Sequence, residues 1–206
     1  MMDNASRSER TRKAVLQAAL TVIARDGPAR LTLDAIARES GMSKGGLTHQ
    51  FPTKEAVLKA LLEHQIEYFD DFSRRYLAEI GTATSQPLLA AQIATLRETI
   101  NQPHAVTFAI LGALAQDPGL LSQTRDTEMK TLDVVKAQAD DPQLAMLRWA
   151  AARGLALMEM FGLNPLPKQE REQLFERLLD DRQWSALAQS GKPSAAAPAR
   201  KRKPKS

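Results

Sequence analysis

Apolar residues return along nearly the whole chain at intervals of three and four, the period of one helix face, and no strand-like alternation is sustained. Val15, Ala19, Val22 and Ile23 form the inner stripe of a first helix, which Ser6-Arg7-Ser8-Glu9 opens as a capping box and Asp26-Gly27-Pro28 ends. Leu33, Ile36 and Ala37 mark a short second helix. Thr32 is placed to cap it, Asp34 puts a carboxylate in its first turn, where the helix dipole favours negative charge, and Ser40-Gly41 stops it. Gly41 suits the left-handed backbone that other residues resist. Ser43 caps a third helix, on which Leu47 and Phe51 lie one turn apart and point inward. Lys44, Gly45, Thr48 and His49 are left on its polar side. Pro52 closes that helix and Thr53 caps a long one, with apolar positions at Leu58, Leu61, Leu62, Ile66, Phe69, Phe72, Tyr76, Leu77 and Ile80. At ~1.5 Å per residue it spans roughly 40 Å. Beyond Gly81 the pattern predicts helices over 87–101, 103–116, 119–138, 142–162 and 168–189, with breaks at proline- and glycine-bearing turns.

A short helix anchored by Leu47 and Phe51, with an unobstructed polar outer face, is what the DNA major groove accepts. Around it stand an amphipathic helix ending in Asp26-Gly27, the run Thr32-Leu33-Asp34-Ala35-Ile36-Ala37, the run Gly41-Met42-Ser43-Lys44-Gly45 followed by Leu47, and Phe51-Pro52-Thr53-Lys54-Glu55-Ala56. In order and spacing, residues from about 8 to 58 resemble the DNA-binding domain of the tetracycline-repressor (TetR) family of transcriptional regulators. One departure is visible. Many members carry aromatic residues followed by histidine before the Phe, where this chain has Thr48-His49-Gln50, so the docking mode is retained while the bases read do not follow from the family pattern.

The resemblance implies an all-α protein with an N-terminal three-helix helix-turn-helix DNA-binding domain (1–52), a C-terminal helical effector-binding and dimerisation domain (53–190) and a basic tail (191–206). It implies a homodimeric, ligand-responsive repressor on a pseudo-palindromic double-stranded operator, released by a small-molecule effector. Thr32, Ser43, Lys44, Gly45, Thr48, His49 and Lys54 form the expected DNA-binding set, with Lys44 and Lys54 on phosphates and Thr48 and His49 facing the groove. Phe69, Phe72, Phe108, Leu111, Met129, Trp149 and Met158 are candidates for an apolar effector pocket, although each also reads as ordinary core. Arg97, His104, Glu128 and Glu159 are the polar groups within those segments that could orient a ligand, and a surface position is the better reading of each. The segment from Trp149 to Met158 is rich in small residues that permit close helix approach. Leu147, Ala151, Leu155 and Met158, with Leu174 and Leu178 further on, are the expected dimer contacts, and a buried core helix has the same pattern.

Composition narrows the alternatives. The 206 residues include no cysteine, which removes disulfides and thiolate metal sites. No apolar run approaches the ~20 residues that span a bilayer, and the polar segment from Met1 to Lys13 is unlike a secretory signal. A soluble cytoplasmic protein is expected, in which the Asn4-Ala5-Ser6 sequon is accidental. Charge is unevenly placed: residues 1–54 carry 9 Lys/Arg against 5 Asp/Glu, residues 55–191 carry 13 against 19, and residues 192–206 carry 6 against none. A basic head suits a polyanion, and an acidic middle does not. The tail lacks bulky apolar residues and is expected to stay unfolded, either as a solvated end or as an electrostatic arm on DNA.

Arg7, Arg10, Arg12 and Lys13 cluster at the entry of the first helix, as a solvated turn or as phosphate contacts. An enzyme is not indicated. There is no Walker loop, no G-x-S-x-G elbow and no cysteine nucleophile. Glu63, His64 and Glu67 lack a second histidine at ligand spacing and read as a solvated helix face, so no metal and no cofactor is expected. A helical scaffold accounts for the bundle but not for the head.

Overall fold

A computed structural model of the chain describes residues 4–101, 107, 109–111, 119 and 122–190. Every regular element among them is helical. The helices are α1 (Asn4–Asp26), α2 (Leu33–Ser40), α3 (Lys44–Gln50), α4 (Lys54–Ile80), α5 (Pro87–Thr99), α6 (Ser122–Gln138), α7 (Pro142–Met160), α8 (Lys168–Leu179) and α9 (Asp181–Ser190), with a 3-10 turn at Pro28–Arg30 after α1. No helix among the described residues is long and apolar enough to cross a membrane.

Local chemistry sets the head's joints. The Thr32, Ser43 and Thr53 hydroxyls accept from the backbone N–H groups of Ala35, Gly46 and Ala56 at 3.0, 3.1 and 3.1 Å, capping α2, α3 and α4. Each such cap stabilises its helix by about 1 kcal/mol. Gly41 ends α2 with φ 70° and ψ 13°, the left-handed conformation that sets the turn into α3. At Gly46 a Cβ would lie 3.2 Å from the capping Oγ of Ser43, closer than an ordinary contact, so a larger residue would press on that cap.

Two cores result. The head core joins Val15, Ala19, Val22, Ile23, Leu31, Ile36, Leu47 and Phe51 to Val57, Leu58, Ala60 and Leu61 at the start of α4, and Ala109 is buried in the same cluster. The first two turns of α4 are thus part of the head's packing, although the sequence suggests a boundary at residue 52. The second core gathers Leu89, Ile93, Val135, Ala145, Ala152, Phe175 and Leu178. Phe175 is fully buried there, a site where truncation to Ala costs about 3–5 kcal/mol.

Element ends differ from the periodic pattern most at the start of α1 and within 168–189. Helix α1 begins at Asn4, so the Ser6–Glu9 pattern lies within it and does not open it. The expected helix 168–189 is interrupted at Asp180, whose backbone is extended. The Asp180 carboxylate accepts from Arg182 N–H at 3.3 Å and Gln183 Nε2 at 3.0 Å, starting a new helix. The expected helix 103–116 falls mostly outside the described residues; Thr107 and residues 109–111 are helical.

Candidate nucleic-acid interface

Helix α3 is held from one side only. Leu47 is wholly buried and Phe51 nearly so, while Lys44, Gly45, Gly46 and His49 are exposed and Thr48 is half-buried. Nothing lies within 4 Å of a Cβ built on Gly45, so this stretch of the surface is open. The Thr48 hydroxyl donates back to its own helix, toward Lys44 O at 3.0 Å and Gly45 O at 3.2 Å. Its hydrogen is therefore engaged, and its methyl group and lone pairs remain for an approaching base. The capping oxygens of Thr32 and Ser43 use lone pairs on the backbone and keep their O–H protons for an acceptor outside, such as a phosphate. Lys44 forms an ion pair with Asp34 of α2 at 2.9 Å. Lys54 opens α4, half-buried, next to the Thr53 cap.

The entry cluster separates into different roles. Arg12 donates to Glu63 of α4 at 3.0 Å and lies 5.8 Å from the centroid of the Phe51 ring, so it clamps α1 to the start of the long helix. Glu63 is thereby engaged by an arginine. Lys13 pairs with Glu9 at 3.6 Å; the side chain of Arg7 is outside the described residues. Gln50, at the position of the departure from the family pattern, donates to Ser8 O at 3.2 Å, and its buried Oε1 has no partner. It fastens the end of α3 to α1.

In the second domain the expected pocket residues are not all brought together. Phe69 and Phe72 are half-buried along α4, and Trp149 is half-buried on α7 with its buried Nε1 unpartnered. Arg153 covers the Trp149 ring at 5.3 Å and pairs with Glu128 of α6. Leu111 and Met158 are exposed, and Met129 is 59 % exposed, so these three line no enclosed space. In α6, Met129, Leu132, Val134 and Val135 give two overlapping stripes, and the buried one follows Glu128, Leu132 and Val135. Phe108 and His104 lie outside the described residues. Arg97 reaches Glu172 of α8 at 2.7 Å, and Glu159 pairs with Arg171 at 3.1 Å, so both serve as internal ties.

The expected dimer contacts also divide. Leu147, which is 64 % exposed, shares the outer stripe of α7 with Ala151 and Met158, and Leu174 is exposed on α8. Leu155 is half-buried against the second core. Leu178 is 6 % exposed and belongs to that core, because it sits one turn from Phe175 on the inner face of α8; it is not a surface contact.

Sequence reasoning missed Arg148, which is 2 % exposed. Its guanidinium donates to Leu178 O at 2.8 and 3.2 Å, to Asp181 Oδ1 at 3.3 Å and to Gln86 Oε1 at 3.4 Å, and it stacks 5.5 Å from the Trp184 ring. Asp181 in turn accepts from the backbone N–H and hydroxyl of Ser85 at 3.0 and 2.7 Å. Burial pushes the Asp181 carboxyl pKa up, but bonds from Ser85 and Thr84 and the Arg148 charge outweigh it and hold the group below the ordinary carboxylate value. Register was the available signal: position 148 falls in the buried stripe through Ala145, Ala152 and Ala156.

Such a head, with a helix anchored from within and open outside on an all-helical body, defines a helix-turn-helix regulator. Residues 15–61 match the family described as bacterial regulatory proteins, tetR family, and residues 86–181 match the tetracyclin repressor-like C-terminal domain. The chain belongs to the TetR family of DNA-binding transcriptional regulators and is not an enzyme. It is 38 % identical over 108 residues to the HTH-type transcriptional regulator SrpR of Pseudomonas putida, an alignment covering 51 % of this chain and 46 % of that protein. It thus spans about half the length of that curated relative. Among solved structures, a transcriptional regulator from Saccharomonospora viridis in complex with choline superposes with TM-score 0.61 at 19 % identity, covering 84 % of this chain and 95 % of the other. The multidrug binding protein EbrR complexed with ethidium gives TM-score 0.51 at 21 % identity, over 82 % and 98 % of the two chains. These likenesses show the shared fold.

Proposed function

We propose that the protein is a ligand-responsive repressor that binds a pseudo-palindromic operator as a homodimer in the cytoplasm and leaves it when a small molecule occupies the helical body. The observation that carries this is the outer face of α3: Lys44, Gly45 and His49 exposed over a fully buried Leu47. Lys44 and Lys54 hold phosphates, while Thr48 and His49 read base edges and Gly45 lets the helix backbone approach. Thr32 and Ser43 add hydroxyl donors at the helix starts. The head (1–52, with the start of α4), the body to residue 190 and the basic tail 191–206 divide these tasks; the tail is outside the described residues.

Dimerisation uses the outer stripe of α7 and α8, where Leu147, Ala151, Met158 and Leu174 are exposed together with Leu157. Small residues at positions 150, 151 and 154 allow two copies to pack closely. Phe69, Phe72 and Trp149, all half-buried, are the groups assigned to effector binding, and the buried Trp149 indole N–H, which has no partner, is free to meet a ligand acceptor. Choline and ethidium in two solved proteins of this fold support a small-molecule site and leave this chain's ligand open. Because α4 runs unbroken from the head core to the body, a pivot of α4 moves the recognition helix, and the effector acts by favouring a head separation unsuited to the operator.

Selection of binding sites from a random duplex library tests the proposal. The enriched sequence should be an inverted repeat with half-site centres about 34–36 Å apart, or a multiple of that. Enrichment of unrelated, asymmetric sequences would contradict it.

A further inference from the structure

We infer that Asp34 is an internal stand-in for DNA phosphate, which Lys44 exchanges for the backbone when the head docks, and that Asp34 thereby sets the head's affinity without affecting its sequence preference. This rests on the proposed phosphate contact of Lys44. Three observations carry it. Lys44 occupies the first position of α3, where the positive end of the helix dipole disfavours a cation, and α3 has no acidic residue in its first turn to offset it. The anion that compensates comes from the neighbouring helix, Asp34 Oδ1 lying 2.9 Å from Lys44 Nζ. Both side chains are about two-thirds exposed, so the pair faces solvent on the docking side and can open at little cost.

An exposed pair of this kind contributes at most about 1 kcal/mol, and it forms the start of the exchange: Lys44–Asp34 is lost as Lys44–phosphate is gained. Asp34 therefore lowers affinity for every duplex alike, since phosphates carry no sequence information. Removing its charge leaves Lys44 without an internal partner and ready for DNA. The same change weakens the favourable dipole interaction at the start of α2, so any structural damage from it lowers binding, opposite in sign to the effect expected from the exchange.

The test is a double-mutant cycle on the full-length protein: wild type, Asp34→Asn, Lys44→Ala and the double variant, each titrated with a labelled operator and with an unrelated duplex. Asp34→Asn should tighten both by about three- to fivefold per head, leaving their ratio unchanged. Asp34→Glu, which keeps the charge, should stay within twofold of wild type. In the Lys44→Ala background, Asp34→Asn should have no effect. An equal gain in that background would show Asp34 repelling DNA by its own charge and overturn the exchange. Unchanged or weaker binding by Asp34→Asn would overturn it as well, while Lys44→Ala still weakening both duplexes would leave the phosphate contact standing. If Lys44→Ala leaves both affinities unchanged, the contact and the exchange fall together.

Discussion

Replacing Arg148 by Met keeps most of the buried apolar stem and deletes the charge. The change strands the Leu178 carbonyl, which takes two of the guanidinium's bonds, and leaves the Asp181 carboxylate without its cation. Breaking a buried pair by removing one partner costs about 3–5 kcal/mol. Asp181 keeps its bonds from Ser85, so the lower end, about 3 kcal/mol, is expected. Urea unfolding followed by the fluorescence of Trp149 and Trp184 reads this directly, since Trp184 lies under the guanidinium. With a slope near 2–3 kcal/mol/M, the midpoint should fall by about 1–1.5 M. Both proteins must be compared at one protomer concentration, because association shifts the midpoint. The loss should also depend on pH. The folded pKa of Asp181 is depressed, so the stability it contributes is present above the ordinary carboxylate value of about 4 and is lost as pH falls through the folded value. The gap between wild type and variant should accordingly be full at pH 7 and narrow below about pH 4. A midpoint shift worth less than about 1 kcal/mol at pH 7, against the 3–5 typical of such losses, would refute Arg148 as the tie between α7, the end of α8 and the α4–α5 turn.

Gly45→Leu should abolish operator binding while leaving thermal stability equal or higher, because the added side chain meets only open space and Leu favours helix over Gly by about 0.5–1 kcal/mol; operator affinity within twofold of wild type would count against α3 as the reader. Leu147→Glu should convert dimer to monomer in light scattering and weaken operator binding, with the far-ultraviolet circular dichroism unchanged. Insertion of Gly-Gly between Pro52 and Thr53 should leave weak DNA binding that the effector no longer releases, as measured by operator titration with and without ligand. An undiminished effector response would move the coupling to the dimer interface or to the Ala109 contact with the head core.

What was legible in the sequence was what local chemistry decides. The caps at Thr32, Ser43 and Thr53 and the turn at Gly41 depend on residues within three or four positions, and the hydrogen bonds follow the sequence reading. The buried face of α3 was legible because Leu47 is the one large apolar residue in it, with Phe51 following at its end. Face assignment was harder where apolar residues are dense: Met129 and Leu178 satisfy helical spacing, yet which stripe is buried depends on the packing of α6 and α8. The break at Asp180 and the burial of Arg148 were illegible for a related reason. A side chain from α7 satisfies carbonyl groups at the end of α8, and a partner 30 positions away leaves no local signature.

The central claim, that this head grips duplex DNA through the starts of α3 and α4, is tested most directly by the salt dependence of binding to the selected operator. Each phosphate contact contributes about −0.9 to the slope of log K against log salt, so Lys44 and Lys54 on two heads account for roughly −3.6. Wild type should show at least that slope, and the Lys44→Ala/Lys54→Ala double variant should flatten it by about three to four units while retaining its preference among sequences. A slope near zero in wild type, or an unchanged slope in the variant, would contradict the account.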